Sequence, residues 1–381
     1  MKKLLAIVLA MVMVLSLAAC GGSSAPAADA PAADAPAAEA PAADAAKVVV
    51  FWYDESDVFM GVVRDNMNKE FEALGITPDN QFAANNQTTQ LDQINTAIAG
   101  GADILVVNQV TSGATDTTED ILAAAGDIPV VFFNRPIGQD GSEIPVLEAN
   151  PNVAFLGTDA PVAGHMQGKM IGDYAVANYD TIDVNGDGVI SYAMMKGDEA
   201  NVEAIYRTQY GLEDANIVLE AAGKPALQYF DAANPDCYQV DQAGAWSAAA
   251  AKEYMDTNFV SYNEANGNMI ELVICNNDGM AEGVIASLQE KGYNVEGEHV
   301  VPVFGVDATD NAKTLIAEGA MAGTIQQDAQ GMAAATANTA MAMLEGATAA
   351  EALAGLTDTR FSVDPACASK LYIAFAPYTG E

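Results

Sequence analysis

Short apolar runs that alternate with longer amphipathic segments are the feature of this chain that most restricts its fold. Near-continuous apolar runs suit strands buried on both faces of a sheet, and their alternation with helical patterns such as 59–75 and 88–101 predicts βαβ units. The fold class is therefore α/β, and the part from Lys47 onward is long enough for two domains of roughly 150 residues each. The runs that predict strands are KVVVFWY (47–53), ADILVVN (102–108), PVVFFN (129–134), VAFLGT (153–158), ISYAMMKG (190–197), ELVICNN (271–277), VVPVFGVD (300–307) and AGTIQQD (322–328).

The first residues have the pattern of a lipoprotein signal peptide, which we place at 1–19. Two lysines precede an apolar run that is too short for a permanent membrane helix of about 20 residues, and small residues come just before Cys20. We expect Cys20 to carry a lipid that holds the chain outside the cytoplasm, on the outer face of the cell membrane. An ordinary cleaved signal, with Cys20 there by chance, is the alternative.

The segment that follows, 20–46, repeats the motif APAAD and lacks large apolar residues. Such a composition does not offset the entropy of folding, so the segment is interpreted as a disordered tether. The formal charge of the whole chain is -37, which argues against nucleic acid or an anionic lipid surface as a partner.

The three cysteines after Cys20 form no CxxC motif and no Cys/His cluster, so a zinc site or a redox motif is not predicted. Cys275 lies in an apolar run and is expected in the core. Whether Cys237 and Cys367 form a disulfide remains open.

The sequence lacks the motifs that are typical of nucleotide-binding proteins and of hydrolases. The first predicted strand is followed by DESDVFMG, which is neither a GxGxxG nor a GxxxxGK[ST] loop, and no GxSxG occurs. Polar residues instead gather where predicted strands end, and in open α/β sheets that edge binds ligands. A polar residue there can also be only a helix cap. These strand-end residues are Asp57, Asn108, Asn134, Asn277, Asp278, Asp307 and Asp328.

The segment DVNGDGVIS (183–191) matches the first half of a calcium-binding loop. Its oxygen-bearing side chains are correctly spaced and Gly188 stands at the sharp turn. The twelfth position, which should be a bidentate Glu, is Met194. The sequence pattern alone therefore leaves open where the missing carboxylate comes from.

Together these segments resemble the galactose/glucose-binding proteins, which are sugar receptors of ABC importers within the periplasmic binding protein class. The similarity runs from Lys47 to about Pro377. It is carried by WYDESDVFMGVVR (52–64), PVVFFNRP (129–136), GTDAPVAGHMQG (157–168), DVNGDGVIS (183–191), VICNNDGMAEG (273–283), PVFGVDATD (302–310) and GTIQQDAQG (323–331).

The resemblance implies two Rossmann-like lobes of the type I periplasmic binding protein fold, joined by three hinge crossings near 157, 327 and 370. The N-terminal lobe would comprise 47–157 plus 328–370, and the C-terminal lobe 158–327 plus 371–381. It also implies a monomer without enzymatic activity that closes on a monosaccharide and is recognised by the importer's membrane subunits. A chemoreceptor is a possible further partner in such a family.

The resemblance also implies a set of sugar-binding residues. A sugar ring has apolar faces and a polar rim, so Phe59 and Trp246 would cover the faces while planar side chains bind the hydroxyls. Three positions depart from the family pattern, namely Asn201, Glu203 and Gln327, so we expect a hexose or a close relative. The implied set is Tyr53, Asp57, Phe59, Asn134, Asn201, Glu203, Arg207, Trp246, Asn277, Asp307 and Gln327.

In the same family the bidentate carboxylate of the calcium loop arrives from a distant strand, and Glu271 matches it here. The resemblance therefore implies structural calcium, with Ser191 as a weak position because the family has a longer side chain there. A metal-free acidic turn is the alternative. The implied ligands are Asp183, Asn185, Asp187, the Val189 carbonyl, Ser191 and Glu271.

Two alternatives from other functional classes stay open at this point. One is a secreted carbohydrate-active hydrolase that uses Asp57 or Glu203 with Asp307. The other is a calcium-dependent scaffold without sugar affinity.

Overall fold

The structure, a computed structural model, describes residues 46–380. The predicted signal peptide and its Cys20 lie outside the described residues, as does all of the predicted tether except its last residue. The strands are β1 (Val48–Trp52), β2 (Asp79–Phe82), β3 (Ile104–Val107), β4 (Val130–Asn134), β5 (Val153–Gly157), β6 (Ser191–Lys196), β7 (Gln228–Tyr229), β8 (Gln239–Val240), β9 (Leu272–Cys275), β10 (Val303–Asp307), β11 (Gly323–Gln326), β12 (Phe361–Asp364), β13 (Cys367–Ile373) and β14 (Ala376–Tyr378).

Helices separate most of these strands, as the alternation in the sequence predicts. They are α1 (Val58–Ala73), α2 (Gln87–Ala99), α3 (Thr115–Ala125), α4 (Ile144–Ala149), α5 (Ala160–Ile182), α6 (Val202–Ala221), α7 (Ala248–Asn258), α8 (Asp278–Glu290), α9 (Asp310–Ala317), α10 (Ala329–Leu344) and α11 (Ala349–Ala354).

The strands form two sheets, and each sheet is the centre of one lobe. The first has the order β12-β13-β5-β4-β3-β1-β2 and the second β14-β11-β10-β9-β6-β7, with β8 paired to β6. All pairs are parallel except β12 with β13 and β11 with β14. This is the two-lobed α/β architecture that the sequence predicts.

Each sheet is buried on both faces, which explains the continuous apolar runs. In β1, Val48 and Val50 pack with α1 and α10, whereas Val49 and Phe51 pack into a second cluster with α2 and α3. The second sheet likewise separates two apolar clusters.

Small residues let α5 pack directly onto the backbone of α6. A Cβ atom on Gly164 would lie 2.4 Å from the Tyr206 carbonyl oxygen, and one on Gly168 would lie 2.3 Å from that of Tyr210. Any larger residue at either position would push the helices apart. This contact fixes α6, whose first turns carry several of the predicted ligand residues.

The chain passes from the first sheet to the second after β5, returns after β11 and passes again after β13. The third passage occurs later in the chain than residue 370, where we expected it. Leu371 and Ile373 still pack in the core of the first sheet, so β13 continues to Ile373 and the chain reaches the second sheet at Ala376. Residues 371–373 therefore belong with the first lobe.

The three cysteines within residues 46–380 are free, so the suggested disulfide between Cys237 and Cys367 is not formed. Cys367 is buried in the core of the first sheet, while Cys237 lies between β7 and β8 of the second. The two thiols are therefore held in different lobes. Cys275 is buried in β9, as expected.

Candidate ligand-binding site

The carboxyl ends of strands from both sheets meet at one pocket between the lobes. Every predicted ligand residue lines this pocket, together with Met60 and Arg135, which the sequence analysis did not include. The predicted residues that the fold brings together here are Tyr53, Asp57, Phe59, Asn134, Asn201, Glu203, Arg207, Trp246, Asn277, Asp307 and Gln327.

On the first lobe, Tyr53 and Asp57 form a fixed pair. The Tyr53 hydroxyl donates to Asp57 Oδ2 at 2.5 Å, and Asp57 Oδ1 accepts from the Met60 backbone N–H at 2.9 Å as the N-cap of α1. Burial and the neighbouring Asp57 carboxylate raise the pKa of Tyr53 well above its usual value. The Tyr53 hydroxyl therefore stays protonated and keeps the Asp57 carboxylate in place.

On the second lobe, Arg207 is the centre of a buried polar network. Its Nη2 donates to Glu203 Oε2 and to Gln327 Oε1, both at 2.9 Å, and its Nη1 donates to the Asn276 carbonyl at 3.0 Å. Glu203 Oε1 also accepts from the Thr158 hydroxyl at 2.7 Å. Because Thr158 and Gln327 lie at passages between the sheets, this network joins the pocket to the segments that connect the lobes.

Asn201 and Asn277 present their amide donors to the pocket because their oxygens are used elsewhere. Asn201 Oδ1 caps α6 by accepting from the N–H groups of Glu203 and Ala204, and Asn277 Oδ1 caps α8 by accepting from Met280. Among residues 46–380, neither amide nitrogen has a hydrogen-bond partner. Both NH₂ groups are therefore available to a ligand.

Three of the lining residues have positive φ angles, which is unusual for residues other than glycine. These angles are 61° at Asn134, 56° at Trp246 and 129° at Asp307. Such strain costs about 1–3 kcal/mol per residue and clusters at functional sites, where the fold holds a side chain in a required direction.

Two of the three aromatic lining residues, Phe59 and Trp246, come from different lobes. Phe59 lies in the first turn of α1 and Trp246 precedes α7, and their exposed fractions are only 6% and 9%. Gly197 leaves room for the Trp246 side chain, because a Cβ atom on residue 197 would lie 2.2 Å from the indole ring. The pocket therefore has aromatic side chains from both lobes.

Arg135 follows Asn134 in the motif NRP, but nothing in the sequence places its side chain. Its guanidinium carbon lies 3.9 Å from the centre of the Tyr53 ring, and its Nη2 pairs with Asp198 of the other lobe at 3.1 Å. Asn85 Nδ2 also donates across the cleft to the Ala243 carbonyl, at 2.7 Å. These contacts describe a closed arrangement of the two lobes.

Three of the strand-end polar residues do not line the pocket. Asn108 donates to the Phe133 carbonyl, and Asp328 is the N-cap of α10 and pairs with Arg360. Asp278 is wholly buried at the start of α8. These three side chains support neighbouring elements.

The 183–191 loop is folded around its own side-chain oxygens. Asp183 accepts from the N–H groups of Gly186 and Gly188, at 2.8 and 2.9 Å, and Asp187 accepts from that of Val189 at 2.9 Å. Glu271 reaches this loop from the second lobe's sheet and accepts from the Ser191 N–H at 2.9 Å. The sequence-predicted calcium residues are therefore neighbours.

Glu271 is completely buried, and burial is the main cause that raises the pKa of its carboxyl. A donor set made only of oxygens fits a hard cation such as calcium. The Ser191 hydroxyl, however, donates a hydrogen bond to the Met269 carbonyl. Between residues 46 and 380, no group of three or more His, Cys, Asp or Glu side chains is arranged to hold a metal ion.

Comparison with known families identifies the chain. A periplasmic binding protein domain matches residues 48–348. The chain belongs to the periplasmic binding protein family. It is also 32% identical over 308 residues to the D-galactose/methyl-galactoside binding periplasmic protein MglB of Haemophilus influenzae, covering 80% of this chain and 82% of that protein.

Solved structures of ABC transporter solute-binding proteins have the same fold. One from Clostridium phytofermentans with bound β-D-glucose has a TM-score of 0.61 at 22% identity, covering 86% of this chain and 93% of that one. One from Bacillus halodurans C-125 with bound myo-inositol has a TM-score of 0.61 at 22% identity, covering 88% and 94%.

Membership of this family has direct consequences for the functional class. The chain is a binding protein and not an enzyme, so the hydrolase alternative built on Asp57 or Glu203 with Asp307 is wrong. The family also places the folded part outside the cytoplasm. Across residues 46–380, no helix is both long and apolar enough to span a bilayer.

Proposed function

We propose that this protein captures a monosaccharide between its lobes and delivers it to an ABC importer. The observation that carries the proposal is the composition of the pocket: aromatic side chains from both lobes and a rim of planar hydrogen-bonding groups. Aromatic rings suit the C–H faces of a pyranose, and amide, carboxylate and guanidinium groups suit its hydroxyls.

The ligand class we propose is a neutral hexose or a close relative. Galactosides are named for one relative, and glucose and inositol for two structural neighbours. Buried sites that bind hydroxyls discriminate between isomers because a mismatch leaves polar groups unpaired. Asn201, Glu203 and Gln327 are therefore the positions that we expect to select the sugar.

Delivery would depend on closure of the lobes. The ligand binds the closed form better and shifts the population toward it, and the importer's membrane subunits then recognise that form. The paired Arg135 and Asp198 support this view because they join the lobes next to the pocket. We propose further that Cys20 carries a lipid anchor, that the protein is a monomer, and that a chemoreceptor is an additional partner.

The first test is thermal unfolding of residues 47–381 against a panel of monosaccharides. A ligand that binds only the native state at 100 times its dissociation constant adds about 2.7 kcal/mol to the free energy of unfolding. We expect the unfolding temperature to rise with one or two hexoses or inositols and to stay constant with disaccharides.

A panel without any stabilising sugar would contradict the proposal. If calcium alone then stabilised the protein and changed its shape, the scaffold alternative would take its place. Each hit is verified by isothermal titration, because a binding stoichiometry of one per chain is expected for a single pocket between two lobes.

We also propose that the 183–191 loop binds calcium together with Glu271, in a structural role. A chelator should lower the unfolding temperature of the wild type, and calcium but not magnesium should restore it. The Glu271→Gln variant should lose this response, because an amide supplies a single oxygen in place of a bidentate carboxylate.

The matched control for Glu271→Gln is Glu264→Gln, which neutralises an exposed residue of the same lobe. This control should respond to the chelator like the wild type. An unfolding temperature that is unchanged by the chelator in the wild type would make the loop a metal-free acidic turn.

A further inference from the structure

Asp278 joins three elements that carry ligand residues of the second lobe. It is the first residue of α8 and follows Asn277 directly. Its Oδ1 accepts from the Thr324 hydroxyl on β11 at 2.6 Å, and its Oδ2 accepts from the Thr309 backbone N–H at 2.8 Å. A single buried carboxyl therefore fixes how α8, β11 and the end of β10 meet.

These contacts lie on both sides of Asp307 in the sequence. Two residues before Asp307, a Cβ atom on Gly305 would lie 2.3 Å from Asp278 Oδ1, so only glycine fits there. Two residues after it, Thr309 is held by Asp278 Oδ2. The segment between has φ angles of 129° at Asp307 and 54° at Ala308, which are sparsely populated and need such support.

The Asp307 carboxyl itself has no hydrogen-bond partner in the part of the chain that the structure describes. It is buried, with an exposed fraction of 6%, and it lines the pocket. Its direction is therefore set by its backbone, and the backbone is set by Asp278.

We infer that Asp278 is a positioning residue for Asp307 and that the charge on these two buried carboxyls makes sugar capture depend on pH. This inference rests on the proposed function and adds its regulation.

Burial and mutual repulsion favour the protonated form of both carboxyls. Burial raises the pKa of Asp278 to about 7, and Glu282 on the same helix contributes to the rise. Burial also raises the pKa of Asp307 well above its usual value; Arg207 opposes this rise, whereas Asp278, Asp57 and Glu203 add to it. β9 contributes the buried Cys275 thiol and β11 contributes the Thr324 hydroxyl.

Two states of the site follow. Below about pH 7, Asp278 is neutral, still joins Thr309 and Thr324, and places no negative charge next to the segment that carries Asp307. At higher pH Asp278 becomes negative and its charge acts on Asp307 across the segment 305–309. The Asp307 side chain then loses the position that the sugar needs, and affinity falls.

The experiment is isothermal titration of the full folded part, from pH 5.5 to 9, with the sugar that most stabilises it in the panel. The wild-type affinity should fall by about tenfold above pH 7, which corresponds to one unit of pKa difference between free and bound forms. Asp278→Asn keeps the shape and stays neutral, so its affinity should change less over that range than that of the wild type.

Two further variants make the test specific. Glu282→Gln removes a negative charge that helps to raise the pKa of Asp278 but keeps Asp278, so the fall should persist and move to lower pH. Thr324→Val removes a hydrogen bond that favours the ionised Asp278, so the fall should move to higher pH. Thr324→Val also tests the inference if Asp278→Asn does not fold.

A sugar-free measurement separates this inference from the proposed function. Because the pKa of Asp278 is raised in the folded state, its contribution to stability is complete at low pH and is lost as pH rises toward about 7. The wild type should therefore lose more stability over this interval than Asp278→Asn.

Equal pH profiles of affinity in the wild type and Asp278→Asn would overturn the inference while the proposed function stands. Absence of sugar binding by the wild type at every pH would overturn the proposed function, and the inference with it.

Discussion

Replacing Arg207 by alanine should abolish sugar binding and lower the free energy of unfolding by about 3–5 kcal/mol. The guanidinium joins Glu203, Gln327 and the Asn276 carbonyl in the buried network of the pocket. Its removal leaves the Glu203 carboxylate, which is 5% exposed, without a cation. Urea unfolding and isothermal titration of the same variant measure both effects.

Arg207→Lys separates charge from geometry. A lysine keeps the positive charge, so stability should recover in part, but it cannot donate in the three directions that the guanidinium uses, so sugar affinity should stay low. Arg64→Ala is the control, because Arg64 is partly exposed and lies on α1 outside the pocket. An Arg207→Ala variant with normal affinity would remove Arg207 from the ligand-binding set.

The second large effect is expected for Trp246→Ala, which should weaken sugar binding by roughly 100-fold, or about 2.7 kcal/mol. The indole is the aromatic surface that the second lobe gives to the pocket. Its loss removes the packing against one face of the sugar. Direct titration with the sugar measures the change, because the substitution removes one of the chain's two tryptophans and alters its intrinsic fluorescence.

Trp246→Phe and Trp52→Phe are the matched variants. Trp246→Phe keeps an aromatic face, so we expect it to recover most of the affinity. Trp52 is buried in the first lobe, where its Nε1 donates to Asn80 at 2.7 Å. Trp52→Phe should therefore lower stability and leave affinity unchanged, and the opposite pattern in the two Trp variants would contradict the placement of the pocket.

The sequence predicted the strands with near-continuous apolar runs, and it missed the edge strands and β13, which is internal but is less buried at alternate positions. All eight predicted runs contain a strand, whereas β2, with the sequence DNQF, has a single large apolar residue and pairs only with β1 at the sheet edge. β7 and β8 have two residues each, which is too short for a pattern. An edge strand buries fewer side chains than an internal strand, so its sequence lacks the continuous apolar run that identifies a strand.

The site residues were predicted from family resemblance, and the structure brings them to one pocket; their contact with a sugar stays a prediction. Arg135 was missed although it follows Asn134, because its role depends on a side chain that folds over the Tyr53 ring and reaches Asp198. Asp278 was recognised only as a strand-end residue or a helix cap. Its link to Asp307 depends on Gly305 and Thr309, which no spacing rule connects to it.

Several pocket residues also begin helices, and this limits how the protein can acquire another specificity. Asp57, Asn201 and Asn277 cap α1, α6 and α8, so a substitution that loses the cap costs about 1 kcal/mol in addition to any change in affinity. Glu203 and Gln327 cap no helix, but Glu203 must stay acidic to pair with the buried Arg207. A library that keeps the three caps and an acidic residue at 203, and varies 327, should therefore yield folded receptors for new sugars more often than one that varies every position.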